Sequence, residues 1–178
     1  MRLRAAAVAN NVRHHIKADS IEMHETIKAT FETIALAKVS TSAFEARSMS
    51  ILGEFDGITM NRERILFDAK AEALSLAREA YSPPLVKTEI AAPGSAVRAT
   101  LKLGVYLMRE GEFISDHDVR VANHVAHVLA GGDVPPGTQI SEDHLLDLER
   151  EAFLSLCGEP KTSERIGYTL KTGKPLRN

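Results

Sequence analysis

The sequence predicts an all-α protein, an irregular bundle of about eight helices with little or no sheet. Apolar residues recur with a helical period along almost the whole of the 178 residues. Serines suited to capping a helix precede several of these periodic runs. Glycines follow four of them, as helix ends favour: Gly111, Gly131, Gly158 and Gly173.

Eight segments carry the helical pattern. They are residues 1–17, 21–38, 42–51, 61–80, 95–110, 116–130, 142–157 and 163–172. Ser42 stands three residues before Glu45, which is the spacing of a capping box, and Ser115 stands three residues before Asp118. Ser141 is placed to cap the seventh segment.

Two stretches interrupt the helical period. The sequence "YSPPLVKTEIAAPG" (81–94) is bounded by prolines and predicts an extended linker, and "GGDVPPGTQ" (131–139) predicts a structured turn. The expected organisation is a helical segment over 1–82, a linker over 83–94 and a C-terminal helical lobe over 95–178. That lobe ends in a helical hairpin.

Composition excludes several classes of protein. The net charge of −2 argues against nucleic acid or an anionic membrane as the main partner. Cys157 is the only cysteine, so a disulfide framework and a thiolate metal cluster are excluded. No apolar run approaches the roughly 20 residues of a membrane span, and the N-terminus lacks the apolar core of a signal peptide. We therefore expect a soluble, cytoplasmic protein.

The segment at 95–110 is apolar around most of its circumference, which predicts a helix at the centre of its lobe. Its narrow polar strip is basic, because Arg98, Lys102 and Arg109 fall within about 40° of one another. The strip is either a solvent-facing edge whose stems cover apolar surface or an anion site for phosphate or carboxylate.

Three histidines share one flank of the segment at 116–130 and raise the question of zinc. His117 and His124 are two turns apart, about 10 Å, too far to ligate one ion together. His124 and His127 are closer, but the sequence shows no third ligand. We expect a structural role for these histidines.

Glu149 lies at the centre of an apolar arc on the segment at 142–157. The arc consists of Leu146, Leu148, Ala152, Phe153, Leu156 and Cys157. A carboxylate buried there must be paired, hydrogen-bonded or protonated. We expect structural pairing with an arginine or with a helix N-terminus, and above all with Arg165 or another arginine of the final helix; the alternative is a catalytic acid. Thr162 is expected to cap that final helix.

The stretch "FETIALAKVSTSAFEARSMSIL" (31–52) resembles the crotonase (enoyl-CoA hydratase/isomerase) family. Ser42, Ala43, Glu45 and Ala46 occupy the positions of its "S-A-E-E-A" motif, whereas Ser50 stands where that family has glycine. In the crotonase fold, the helices that resemble residues 21–52 cover a β-core. The resemblance therefore implies exposed apolar surface when that core is missing, and self-association or a rearrangement of the first helices to bury it.

The C-terminal stretch 145–178 is similar to the end of bacterial 3-hydroxyacyl-CoA dehydrogenases that fuse a dehydrogenase to a crotonase module. The sequences "NRERILFDAKAEALSLA" and "HVLAGGDVPPGT" also fit that group. The resemblance implies a C-terminal part of a fatty-acid β-oxidation enzyme that uses NAD and CoA thioesters. It also suggests CoA phosphates as ligands of Arg98, Lys102 and Arg109.

The motifs that carry the chemistry of such enzymes are missing from this sequence. There is no G-x-G-x-x-G dinucleotide fingerprint and no segment that would supply an oxyanion hole. We therefore expect no catalytic residue and no cofactor of its own. The expected role is completing an acyl-CoA pocket and packing against upstream modules. The alternative is a stand-alone, non-catalytic helical module that binds a partner protein.

Overall fold

The computed structural model describes residues 20–178 and is mostly helical, which confirms the all-α prediction. Its elements, in order, are α1 (Ser20–Ala35), α2 (Ala43–Ser48), a 3-10 turn (Arg62–Arg64), α3 (Ile65–Arg78), β1 (Ile90–Ala91), α4 (Gly94–Glu110), α5 (Asp116–Leu129), β2 (Gln139–Ile140), α6 (Glu142–Cys157) and α7 (Pro160–Thr172). The predicted first helix, residues 1–17, lies outside the described residues.

The helix starts follow the local signals. Ser42 and Ser141 cap α2 and α6, and Ser115 and Asp118 form a complete capping box at the start of α5. Two starts differ from the prediction by three residues or more, and one of them is that of α3, which begins at Ile65, after the 3-10 turn, rather than at 61. Helix α7 begins at Pro160, because the fixed φ of proline suits the first helical position, and Thr162 lies inside its first turn.

The structure divides the chain differently from the predicted lobes. Residues 39–86 form one compact unit, whereas residues 20–38 and 87–178 form another. The reason is the apolar face of α1: Ile27 and Phe31 are buried in the same core as residues of α4 and α5. Helix α1 therefore belongs with the C-terminal elements rather than with α2 and α3.

The core of the larger unit lies between α1, α4 and α5. Its buried members are Ile27, Phe31, Val97, Leu101, Val105, Ile114, Ala122 and Ala126. Helix α6 packs against α5, and α7 returns along α6 as the predicted hairpin. In this unit α5 is the shared element, since it contacts α1, α4 and α6.

Part of the predicted linker is built into the larger unit. Ile90 and Ala91 pair antiparallel with Ile140 and Gln139 in a two-stranded sheet. The backbone bonds continue past the strands, because the Ala92 amide donates to the Thr138 carbonyl at 2.8 Å. The paired segments hold the entry to α4, which no side chain caps.

The smaller unit, residues 39–86, buries very little of its own apolar surface. Ala46 is its only buried residue, and Phe55 is 95% exposed. Large apolar side chains of α3 are also exposed, among them Leu66 and Phe67.

Within the described part of the chain, no helix is both long and apolar enough to cross a bilayer.

Ser50 adopts a left-handed conformation with φ of 58° at the end of α2. That conformation is the one glycine adopts most readily. Ser50 therefore occupies a position whose backbone conformation favours glycine.

Candidate functional site

Two of the three cations on the basic strip of α4 are already paired with carboxylates of the same unit. Arg98 binds Asp133, in the loop that precedes β2, and Arg109 Nε donates to Asp116 Oδ1 at 2.5 Å. The hydrogen bond from Arg109, together with its charge, holds the pKa of Asp116 below its ordinary value. These pairs tie α4 to the loop and to the start of α5.

Lys102 is the remaining cation of the strip, and it is exposed on the surface of α4. No hydrogen bond or ion pair joins it to another described residue. A phosphate group at this strip would therefore contact one unpaired cation, Lys102, because the guanidinium groups of Arg98 and Arg109 already bind carboxylates. Binding of CoA phosphates to this strip stays a prediction.

The other side of α4 is an exposed apolar face. Leu103, Tyr106 and Leu107 are each more than half exposed, whereas Val97, Leu101 and Val105 are buried on the core side. Helix α4 therefore contributes one face to the core, although its sequence is apolar around most of its circumference. Gly104, between these exposed side chains, has open space where a Cβ would stand. We call Leu103, Tyr106 and Leu107 the outer face of α4.

Arg165 of α7 forms the most extensive polar network in the larger unit. Its Nη1 donates to Asp118 Oδ1 at 2.7 Å, and its Nε donates to the side-chain oxygen of Asn178 at 2.8 Å. Burial disfavours the charged form of Asp118, but hydrogen bonds from the Ser115 backbone and from Arg165 outweigh it, so the pKa of Asp118 is lowered. Arg165 thus joins the capping box of α5 to α7 and to Asn178.

The predicted ion pair between Glu149 and Arg165 is not formed. Glu149 is half-buried, and it makes no hydrogen bond or ion pair with another described residue. The reason is the direction in which α7 presents its arginine: toward the first turn of α5, where Asp118 is already oriented by Ser115. The half-buried side chain of Glu149 keeps enough contact with water to need no partner.

Replacing Arg165 with methionine should lower the free energy of unfolding by about 2 kcal/mol. Breaking a fully buried pair costs roughly 3–5 kcal/mol, but the side chains of Arg165 and Asp118 are 21% and 18% exposed, which reduces the cost. Urea denaturation measures the difference. Arg150→Met is the matched control, because the Arg150–Asp147 pair is largely exposed and should contribute no more than about 0.5 kcal/mol. Equal losses for the two variants would contradict a structural role for Arg165.

The three histidines of α5 differ in their burial and contacts. His117 is buried, and its Nε2 lies 2.9 Å from the hydroxyl oxygen of Thr162. His124 and His127 are half-buried further along the helix. Across residues 20–178, no three His, Cys, Asp or Glu side chains are arranged to hold a metal ion.

The sequence did not reveal the partners of Arg98, Arg109 and Arg165. The capping box at Ser115 and Asp118 was visible, but its second use as an acceptor for Arg165 depends on where α7 lies. The carboxylates of Asp116 and Asp133 gave no signal beyond their charge. Pairing across such separations needs the tertiary arrangement of the helices.

The Arg98–Asp133, Arg109–Asp116 and Arg165–Asp118 pairs thus join helices and loops of the larger, helical unit to one another. The chain is similar to a probable 3-hydroxyacyl-CoA dehydrogenase of Bacillus subtilis (strain 168), with 48% identity over 165 residues. The alignment covers 93% of this chain but 21% of that protein, so the chain spans about a fifth of its relative. No protein-family model and no solved structure matches the chain.

Proposed function

We propose that the chain is a C-terminal portion of a 3-hydroxyacyl-CoA dehydrogenase/enoyl-CoA hydratase of fatty-acid β-oxidation. The similarity to the B. subtilis protein over 93% of the chain carries this proposal. The resemblance of 31–52 to the crotonase motif supports the hydratase part, and the likeness of 145–178 to the ends of fused dehydrogenases supports the C-terminal position. In this role the chain packs against other modules and helps to complete the acyl-CoA pocket.

The exposed apolar surfaces support a packing role. The outer face of α4 presents Leu103, Tyr106 and Leu107, and the unit at 39–86 exposes Leu66 and Phe67 on α3. Large contiguous apolar areas on a protein surface are usually covered by a partner. In the proposed enzyme, the upstream dehydrogenase and crotonase modules cover them, and self-association covers them when the chain is alone.

NAD and the acyl-CoA substrate belong to the complete enzyme in this proposal. The described residues offer the basic strip of α4 for the CoA phosphates, with Lys102 as its uncompensated charge. Nicotinamide chemistry would be carried out by the upstream dehydrogenase module. The chain alone is then expected to be catalytically incompetent.

The test is an activity assay of the purified chain with 3-hydroxyacyl-CoA plus NAD and, separately, with enoyl-CoA. We expect no turnover above the background of a heat-denatured sample, because hydride transfer needs a dinucleotide site and hydration needs an oxyanion hole. Turnover well above that background by the purified chain would contradict the proposal.

The alternative is a stand-alone helical module that binds a partner protein, and the same exposed faces favour it. The DNA sequence upstream of the codon for Met1 distinguishes the two proposals. An in-frame dinucleotide fingerprint there supports the enzyme portion, whereas an independent promoter and start site support the stand-alone module. Locating the full-length gene is therefore the most informative single observation.

A further inference from the structure

His117 lies between the N-terminal turns of two helices. It is the second residue of α5, and its Nε2 is 2.9 Å from the hydroxyl of Thr162, the third residue of α7. The side chain is enclosed, with 2% of the residue exposed. Both helix N-termini direct positive partial charge toward this position, which disfavours a cation.

The contacts around His117 form the junction between α5 and α7. Arg165 bonds Asp118, and Arg120 Nη1 donates to Glu159 Oε1 at 2.7 Å. No residue of α7 is buried, so the helix is held by its hairpin with α6 and by these polar contacts with α5. Of the side chains in these contacts, the imidazole of His117 is the one whose ordinary pKa lies near neutral pH.

The charged groups facing His117 come from three places. Arg165 and Lys161 lie on α7, Glu159 immediately precedes α7, and Asp118 lies on α5. Within the described residues, no charge of α1, α4 or α6 is among the main groups acting on the ring. Both carboxylates are already bonded to arginines, Asp118 to Arg165 and Glu159 to Arg120, so an added positive charge on His117 finds no free counter-ion there.

We propose that the junction of α5 and α7 is an acid-sensitive latch. Protonation of His117 places an imidazolium between two helix N-termini and beside Arg165, and this weakens the packing of α7, together with the segment ending at Asn178, on α5. The neutral ring, bonded to Thr162, is the closed state. The latch is a property of the fold and is independent of the proposed enzymatic role.

The direction of the pH effect follows from proton uptake. Burial lowers the pKa of His117, and Arg165 acts in the same direction more strongly than the opposing Glu159. When α7 is released from α5, His117 is exposed to water and its pKa is near the ordinary value of about 6.5. The released state therefore binds a proton at a pH at which the closed state does not. The closed state is therefore fully favoured above about pH 6.5 and loses stability as the pH falls from there toward the pKa of the closed form.

The experiment is hydrogen–deuterium exchange of the whole chain, compared at about pH 7.5 and about pH 5 after correction for intrinsic exchange. We expect amides of α7 to exchange faster at the lower pH, with the central turns of α4 unchanged. His117→Gln keeps a neutral side chain able to bond Thr162, and it should lose the acid-induced increase. His124→Gln, on the same helix but away from the junction, should retain it.

A second measurement needs no variant. The ring of His117 can be titrated by NMR in the unaltered chain, and the midpoint of α7 opening must coincide with that titration. An α7 that is equally protected at both pH values would overturn the latch. An acid-induced opening that persists in His117→Gln, or that has a midpoint away from the His117 titration, would overturn it as well.

Discussion

Gly94→Ala should lower the free energy of unfolding by roughly 3–5 kcal/mol. Gly94 has a φ of 75°, and a Cβ there would lie 2.5 Å from the backbone nitrogen of Pro136. The left-handed conformation costs a side chain about 1–3 kcal/mol, and forcing the backbone apart adds a comparable amount. The Gly137 amide donates to the Ala92 carbonyl at 2.8 Å, which holds the loop containing Pro136 against the start of α4, and the Gly94 amide donates to the Ala130 carbonyl at the end of α5.

Gly137 provides the matched control for that substitution. Its φ is 80°, but nothing lies within 4 Å of the position where a Cβ would stand. Gly137→Ala should therefore show only the conformational cost of about 1–2 kcal/mol. Chemical denaturation of both variants measures the difference. If Gly94→Ala were no less stable than Gly137→Ala, the contact between the start of α4 and Pro136 would not hold the fold together.

Leu101→Ala should cost about 3 kcal/mol of stability. Leu101 is 5% exposed and lies in the core with Val97 and Val105 of the same helix and with Phe31 of α1. Truncating a buried leucine loses its transfer free energy and leaves a cavity, for a total of roughly 2–5 kcal/mol. The loss should appear as a lower denaturation midpoint with an unchanged dependence on denaturant.

Leu103→Ala is the control two residues further along. Leu103 is 58% exposed on the outer face of α4, so its truncation should change the stability of the chain by no more than about 0.5 kcal/mol. The pair also tests the orientation of α4. A large loss for Leu103→Ala in a monomeric sample would mean that the outer face is covered, contrary to the structure.

The helices and their starts were predictable because their determinants are local. A serine and an acid three residues apart bring together a donor and an acceptor of one turn, as Ser115 and Asp118 do. The apolar period then determines how far each helix continues. For this reason the bounds of α6 were predicted to the residue, and the hairpin of α6 with α7 followed from the short turn at Gly158.

The position of α1 in the chain did not predict that α1 packs in the larger unit. Its residues Ile27 and Phe31 are apolar at helical spacing, which shows that one face is buried but not against what. The proline-rich stretch that follows α3 suggested a boundary between two lobes. In the structure, the apolar face of α1 packs against helices that begin far beyond that stretch, because apolar burial has no directional preference for neighbours in sequence.

By itself, the sequence determined that this protein is helical, where its capped helices begin, and that it lacks the dinucleotide fingerprint of a dehydrogenase. Only the tertiary structure decided which charges meet. Arg165 bonds Asp118, 47 residues away, rather than Glu149, and Arg98 binds Asp133, 35 residues away. A long side chain can reach any of several carboxylates, and packing of the apolar faces selects the one that lies within bonding distance.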